Sequence, residues 1–196
     1  MNGEIITRIF RDPPELITSR LTLRRMLKSD AADMYEYAHR PDVTEYLLWD
    51  PHPNEAYSHR YLTYLQTRYR SGDFHDWAVV WRESGKMIGT CGFTRFNRDA
   101  RSAEIGYVLN PVYWGLGIAP EAVRAVMKFG FEELDLHRLE AHYMVGNDRS
   151  RRVMEKVGMQ FEGVARDSLF VKGKYVSVGV CAILRDEYES LYQTNV

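Results

Sequence analysis

The chain holds few of the features that mark secreted, membrane-spanning or nucleic-acid-binding proteins. Only two cysteines occur in 196 residues, Cys91 and Cys181, each inside an apolar, strand-like run. That placement fits buried free thiols in a reducing compartment and excludes a disulfide framework. No apolar run approaches the length of a membrane span, and Glu4, Arg8, Arg11 and Asp12 interrupt any signal-peptide core. The formal net charge is −1, so no basic excess points to nucleic acid or an anionic membrane surface. His39, His52, His59, His75, His137 and His142 show no metal-ligand spacing, and no metal is expected. There is no linker, repeat or low-complexity tract. These absences leave a cytoplasmic enzyme or binding protein, a monomer or a homodimer, with no nucleic-acid or membrane partner.

What remains is an ordinary globular composition, 45% hydrophobic and 27% charged, long enough for one domain with a substantial core. Arg20–Arg24 alternates like a half-buried strand. A helix capped by Ser29 or Asp30 runs to Pro41. A second carries Tyr57, Tyr61, Tyr64, Leu65 and Tyr69 at three- and four-residue spacing. These tyrosines read as core and groove wall. Trp77–Trp81 and Met87–Phe93 form a meander through the turn Glu83–Lys86, and Arg101–Leu109 adds a strand. A helix over Glu121–Glu133 and a strand over Arg138–Val145 follow. A strand–helix–strand order of that length implies two parallel neighbours. A short helix near Ser150–Val157 leads to strands at Phe161–Arg166 and Tyr175–Leu184, then a polar tail ending in a helical turn. The pattern predicts an α/β fold with a mixed sheet.

The most informative stretch is Tyr113-Trp114-Gly115-Leu116-Gly117-Ile118-Ala119-Pro120, between a strand and a helix. A helix start carries unpaired N–H donors and partial positive charge, which suits phosphate. Gly115 and Gly117 remove side chains that would hold a phosphate off the main chain, and Pro120 fits the first helical position. A P-loop would need Lys and Ser/Thr after the last glycine, where Ile118-Ala119-Pro120 stands. A Rossmann fingerprint would follow the first strand with a third spaced glycine. Neither matches. A second constellation begins after the next strand: Asn147-Asp148-Arg149-Ser150-Arg151-Arg152, ending at Gly158. Asn147 offers an amide, Ser150 a hydroxyl, and Arg151 and Arg152 two cations for phosphate. Helix capping by Asn147, Asp148 or Ser150 is the competing explanation.

Together these segments resemble the GNAT acetyltransferase superfamily, in its branch of ribosomal-protein N-terminal acetyltransferases (RimJ/RimL-like). The resemblance rests on Ile17–Arg24, Ala103-Glu104-Ile105-Gly106-Tyr107, Tyr113–Ala119, and Asn147-x-x-Ser150 through Gly158. It divides the chain into an unassigned extension (1–15), the acetyltransferase domain (16–188) and a tail (189–196). It implies two central parallel strands that splay apart to admit the pantetheine arm of acetyl-CoA beside Tyr107, Val108 and Leu109. It places the pyrophosphate on the loop Trp114, Gly115, Leu116, Gly117, Ile118 and Ala119, with Asn147 on the pantetheine arm and Arg151 or Arg152 near the adenosine phosphate. The family's loop usually begins with Gln or Arg, whereas this chain has Trp114.

The chemistry such a family performs is direct attack of a neutral amine on the thioester. It needs proximity, a proton acceptor and donors for the developing oxyanion. Where many relatives carry a tyrosine acid this chain has Met154, and the resemblance to the ribosomal-protein branch implies Ser150 as the acid or hydrogen-bond donor to the leaving thiolate. Glu104 is the candidate base, with Asp76, His75 or a water relay as alternatives. At pH 7 an α-amine is roughly a tenth neutral and a lysine about 0.04% neutral, so a modest base favours the α-amine. A protein or peptide N-terminus is therefore the expected acceptor. The alternatives are an antibiotic, polyamine or metabolite amine, and a non-catalytic acyl-CoA-binding module.

Overall fold

The computed structural model describes residues 3–192. Eight strands form one mixed sheet: β1 (Leu16–Ile17), β2 (Leu21–Arg24), β3 (His75–Trp81), β4 (Lys86–Asn97), β5 (Ser102–Leu109), β6 (Arg138–Met144), β7 (Gln160–Val171) and β8 (Lys174–Leu184). Their order across the sheet is β1-β2-β3-β4-β5-β6-β8-β7. Around them run α1 (Gly3–Arg11), α2 (Ala31–Ala38), α3 (Pro41–Thr44), α4 (Glu55–Ser71), α5 (Ile118–Glu132), α6 (Asp148–Lys156) and α7 (Arg185–Tyr192). By internal contacts the described residues fall into two compact units, one of 3–92 with 107–126 and the other of 93–106 with 127–192.

In the N-terminal unit, Leu21 and Leu23 alternate inward from β2 and pair with Trp81 and Val79 of β3. The core beneath is built from Met26, Met34, Tyr37, Leu62, Leu65, Tyr69, Ala78, Val80 and Met87. Of the α4 tyrosines, Tyr69 is buried, while Tyr57, Tyr61 and Tyr64 remain exposed. The Tyr69 hydroxyl accepts from Met26 N–H (3.1 Å) and donates to the Asp76 carbonyl (2.8 Å). Asp30 occupies the N-cap position of α2 but makes no side-chain bond to that helix: its carboxylate pairs with Arg24 through two bonds of 2.8 Å and accepts from the Leu27 N–H at 2.8 Å. From Gly3 to Arg11 the extension is helical. Ile6 and Phe10, four apart on α1, are buried, and Phe10 packs edge-on to His75 (4.7 Å) and Trp77 (5.4 Å). Gly72 ends α4 at φ +71°, where a Cβ would stand 2.1 Å from the Thr7 carbonyl oxygen.

In the C-terminal unit, β6 pairs antiparallel with β8 along its whole length, from Arg138↔Leu184 to Met144↔Val178. Its parallel register with β5 covers three pairs at one end: Ser102↔Arg138, Ala103↔Leu139 and Glu104↔Glu140. Leu139, Ala141, Cys181 and Ile183 point into a core shared with Met154, Val157 and Met159 from α6 and its exit. Tyr188 of α7 stacks on Phe131 at 4.6 Å and donates to Glu132 at 3.0 Å. Both cysteines are free and buried. No helix among the described residues is long and apolar enough to cross a membrane.

Candidate active site

The glycine turn lies in the N-terminal unit. After β5, the Asn110 side chain accepts from Val112 N–H (3.1 Å) and starts a single 3-10 turn over Pro111–Tyr113. Trp114 then turns inward. Its indole N–H donates to the Leu109 carbonyl (2.8 Å), and its partly buried ring packs against the N-terminal unit's core. This engages the Leu109 carbonyl, one of the backbone groups expected beside the pantetheine arm. It also gives Trp114 a definite task, fixing the turn against the end of β5.

Gly115 (φ +79°) and Gly117 (φ +75°) both adopt the left-handed conformation, which glycine reaches without steric cost. The helix begins at Ile118, three residues before the sequence-based start, so Pro120 occupies its third position rather than its first. The proline still removes no hydrogen bond, because first-turn N–H groups have no intrahelical partner.

A residue that the sequence reading passed over supports this turn. Arg20 donates to the Leu116 carbonyl (3.0 Å) and pairs with Glu121 on the first turn of α5 at 2.6 Å. Its guanidinium stands 3.7 Å from where a Cβ on Gly117 would lie. Burial pushes the Glu121 carboxyl up, but hydrogen bonds from Thr18, Arg20 and Ser19 outweigh it and hold the group below its usual range. The signal was present as Thr18-Ser19-Arg20 and Glu121, about a hundred residues apart, with nothing local to join them.

Three further features of this unit bear on an acceptor. Burial lifts the Asp76 carboxyl to about 7, against the opposing hydrogen bonds from Trp77 N–H and the Thr90 hydroxyl. Tyr61 keeps part of its ring exposed, but its hydroxyl is desolvated and pushed up to about 12, with the Asp76 charge adding to the shift. His52 centres an aromatic group: Trp49 at 5.3 Å, Tyr57 at 4.8 Å and Tyr61 at 6.0 Å. Burial lowers the His52 pKa, and its Nδ1 shares a hydrogen bond with the Ser58 hydroxyl (2.8 Å).

In the C-terminal unit, the Asn147 side-chain oxygen accepts from Ser150 N–H (3.2 Å) and caps α6. Arg151 is held by Glu155 at 2.9 Å, which raises its pKa, and lies 5.3 Å over the Phe161 ring. Arg152 donates to the Asp148 carbonyl (3.2 Å). Glu104, with 17% of its side chain exposed, faces His142 Nδ1 at 3.6 Å and Arg95 Nε at 3.9 Å. Glu140 lies 3.5 Å from the other ring nitrogen. One ligand atom from each of Glu104, Glu140 and His142 falls within 4.8 Å of the others, a grouping invisible in the sequence because β5 and β6 are separated by a helix.

Comparison with known proteins gives the class and the family. The family model described as an acetyltransferase (GNAT) domain matches residues 20–160, and the chain belongs to that family, in its RimJ/RimL-like branch. It is an N-acetyltransferase, and the family uses acetyl-CoA. N-acetyltransferase p20 of Bacillus licheniformis is 33% identical over 88% of this chain and 97% of its own length. A spermidine N(1)-acetyltransferase of Vibrio cholerae is 25% identical over 88% of this chain and 97% of its own. The structure of RimL, a ribosomal L7/L12 alpha-N-protein acetyltransferase in complex with coenzyme A, superposes with a TM-score of 0.76 at 19% identity. The match covers 89% of this chain and 99% of that one, and it shows the shared fold.

Proposed function

We propose that the protein acetylates the α-amine of a protein or peptide N-terminus, with Glu104 as base and Ser150 as proton donor. The carrying observation is the placement of Glu104. Its carboxylate is largely enclosed, yet no hydrogen bond to an arginine claims it, since Arg95 stands 3.9 Å away. A carboxylate is a modest base, and it matches an ammonium of pKa near 8 far better than a lysine near 10.4.

Each residue then has a task. The backbone amides of Gly115, Gly117 and Ala119 receive the pyrophosphate of acetyl-CoA, with Trp114, Leu116 and Ile118 setting the turn. Tyr107 and Val108 accompany the pantetheine arm, as does Asn147, and Arg151 and Arg152 serve the adenosine phosphate. The amine nitrogen bonds to the thioester carbon as Glu104 takes its proton. The carbon–sulfur bond then breaks, and the departing thiolate takes the Ser150 hydroxyl proton as a solvent water returns one to the serine oxygen.

A second reading, a polyamine acceptor, is favoured by the His52-centred aromatic group, whose exposed Tyr57 and Tyr61 rings suit a cation, and by the spermidine-acetylating relative. Release of free CoA thiol separates the two. Peptides beginning with Ser, Ala or Met, an N-blocked lysine peptide and spermidine are compared under one set of conditions. The free-amine peptides should give the highest kcat/KM, with the blocked peptide near background. A higher kcat/KM for spermidine would transfer the assignment to the polyamine reading.

A further inference from the structure

We propose that His142 is a proton relay, carrying the acceptor's proton from Glu104 to Glu140 and so to solvent. The inference rests on the reading of Glu104 as base. The parallel register sets Glu104 directly beside Glu140, a juxtaposition of like charges that costs stability unless something lies between them. His142, two residues further along β6 and so on the same face, supplies that group. Its two nitrogens address different carboxylates, Nδ1 toward Glu104 Oε2 at 3.6 Å and Nε2 toward Glu140 Oε1 at 3.5 Å. A merely structural pair needs one carboxylate and leaves the other nitrogen to solvent. Both contacts are slightly long for hydrogen bonds, as catalytic contacts often are before substrate tightens them.

The far carboxylate is held in a fixed pose. Arg138 donates twice to Glu140 Oε2, at 3.2 and 3.0 Å, which leaves Oε1 toward the ring. The same guanidinium grips Glu162 of β7 at 2.7 and 2.6 Å, and this raises the Arg138 pKa and lowers that of Glu162. From β4 the charged neighbour is Arg95, and β8 places the non-ionisable Val180 opposite His142. Cationic side chains thus flank both carboxylates, and the imidazole lies between them.

The step balances. Glu104 takes one proton from the acceptor nitrogen and passes it to His142 Nδ1. The imidazolium releases its Nε2 proton to Glu140, which yields it to water. Glu104 is again a carboxylate, and the ring, 31% exposed at its side chain, recovers its starting tautomer by exchange with water.

The test is His142→Ala assayed with imidazole as the added probe, using whichever of the Ser-initiated peptide or spermidine the wild type turns over faster. The proposal expects kcat to fall tenfold or more with an unchanged KM for acetyl-CoA. Added imidazole should restore the rate of this variant several-fold without accelerating the wild type. An unchanged kcat would overturn the relay, as would a loss that imidazole does not restore. So would a wild-type rate abolished by a chelator, which would reassign the three side chains to a metal ion. Glu104→Gln separates the relay from the reading beneath it. Full rate in that variant removes both, whereas a slow Glu104→Gln beside a normal His142→Ala removes the relay alone. Nitrogen-15 spectra of the intact protein give a second measurement: the His142 ring resonances should respond to Glu104→Gln and to Glu140→Gln, and response to neither would overturn the proposal.

Discussion

The glycine turn after β5 and the carboxylate–imidazole face of β5 and β6 are built on opposite principles. The turn is contiguous and works through the main chain, with two left-handed glycines, a helix start, and an indole holding the strand end. The face is discontinuous and works through side chains, with Glu104 from one strand meeting Glu140 and His142 from another. Backbone donors tolerate variation in the side chains around them, so an inward-turned Trp114 can open the turn. Side-chain chemistry has no such latitude, because removing one atom removes the proton's route. Binding and turnover should therefore respond to different substitutions.

The largest effect short of removing the base should come from Ser150→Ala. If Ser150 protonates the thiolate, kcat falls on the order of ten- to a hundredfold while the Kd for acetyl-CoA stays within about twofold. Stopped-flow turnover beside calorimetry measures both. Normal turnover with a lowered Tm would return Ser150 to a purely structural place on α6.

Gly117→Ala should do the reverse. A Cβ has room there, with Arg20 at 3.7 Å, so the penalty is the left-handed φ and the main-chain shift it forces. Acetyl-CoA affinity should fall about tenfold, about 1.4 kcal/mol, with kcat at saturation little changed. A correctly folded variant with native affinity would take the pyrophosphate away from this turn.

Asp76→Asn is a smaller and sharper test, because Asp76 is the rival base. Its carboxyl, lifted to about 7 in the folded protein, binds a proton that the unfolded chain releases near pH 4. Stability is therefore lost as pH rises from about 4 through about 7. The amide variant escapes that loss. Its Tm should exceed the wild type's by a few degrees at pH 8 and not at pH 5, with turnover retained. Abolished turnover with an unchanged acetyl-CoA affinity would move the base from Glu104 to Asp76.

What could be read from the sequence follows the same division. The strands, the tyrosine-bearing helix and the glycine turn were legible because each is written in consecutive residues, and the mixed α/β sheet follows from their order. Boundaries shifted where local signals competed with tertiary ones. Pro120 suggested a later start for α5, and Asp30 holds the cap position of α2 while its carboxylate goes to Arg24 and the Leu27 N–H instead. The extent of β7 and β8 was underread because exposed polar positions hide a hairpin that pairs from Gln160 to Val171 with two register shifts. The support of Arg20 for Glu121 and the grouping around His142 were illegible, since both depend on partners that only the sheet brings together. Helix α1 was invisible as a functional segment, yet Ile6 and Phe10 make it part of the core.

The central claim, that the β5–β6 face rather than the glycine turn governs the proton, is tested most directly by the pH dependence of kcat in Glu104→Gln. Assayed with saturating acetyl-CoA and the preferred amine, the variant should lose a hundredfold or more in rate. Its acidic limb should vanish or move toward the acceptor amine's own pKa, while calorimetry shows native acetyl-CoA affinity. A pH–rate curve that overlays the wild type's, at undiminished kcat, would contradict the account.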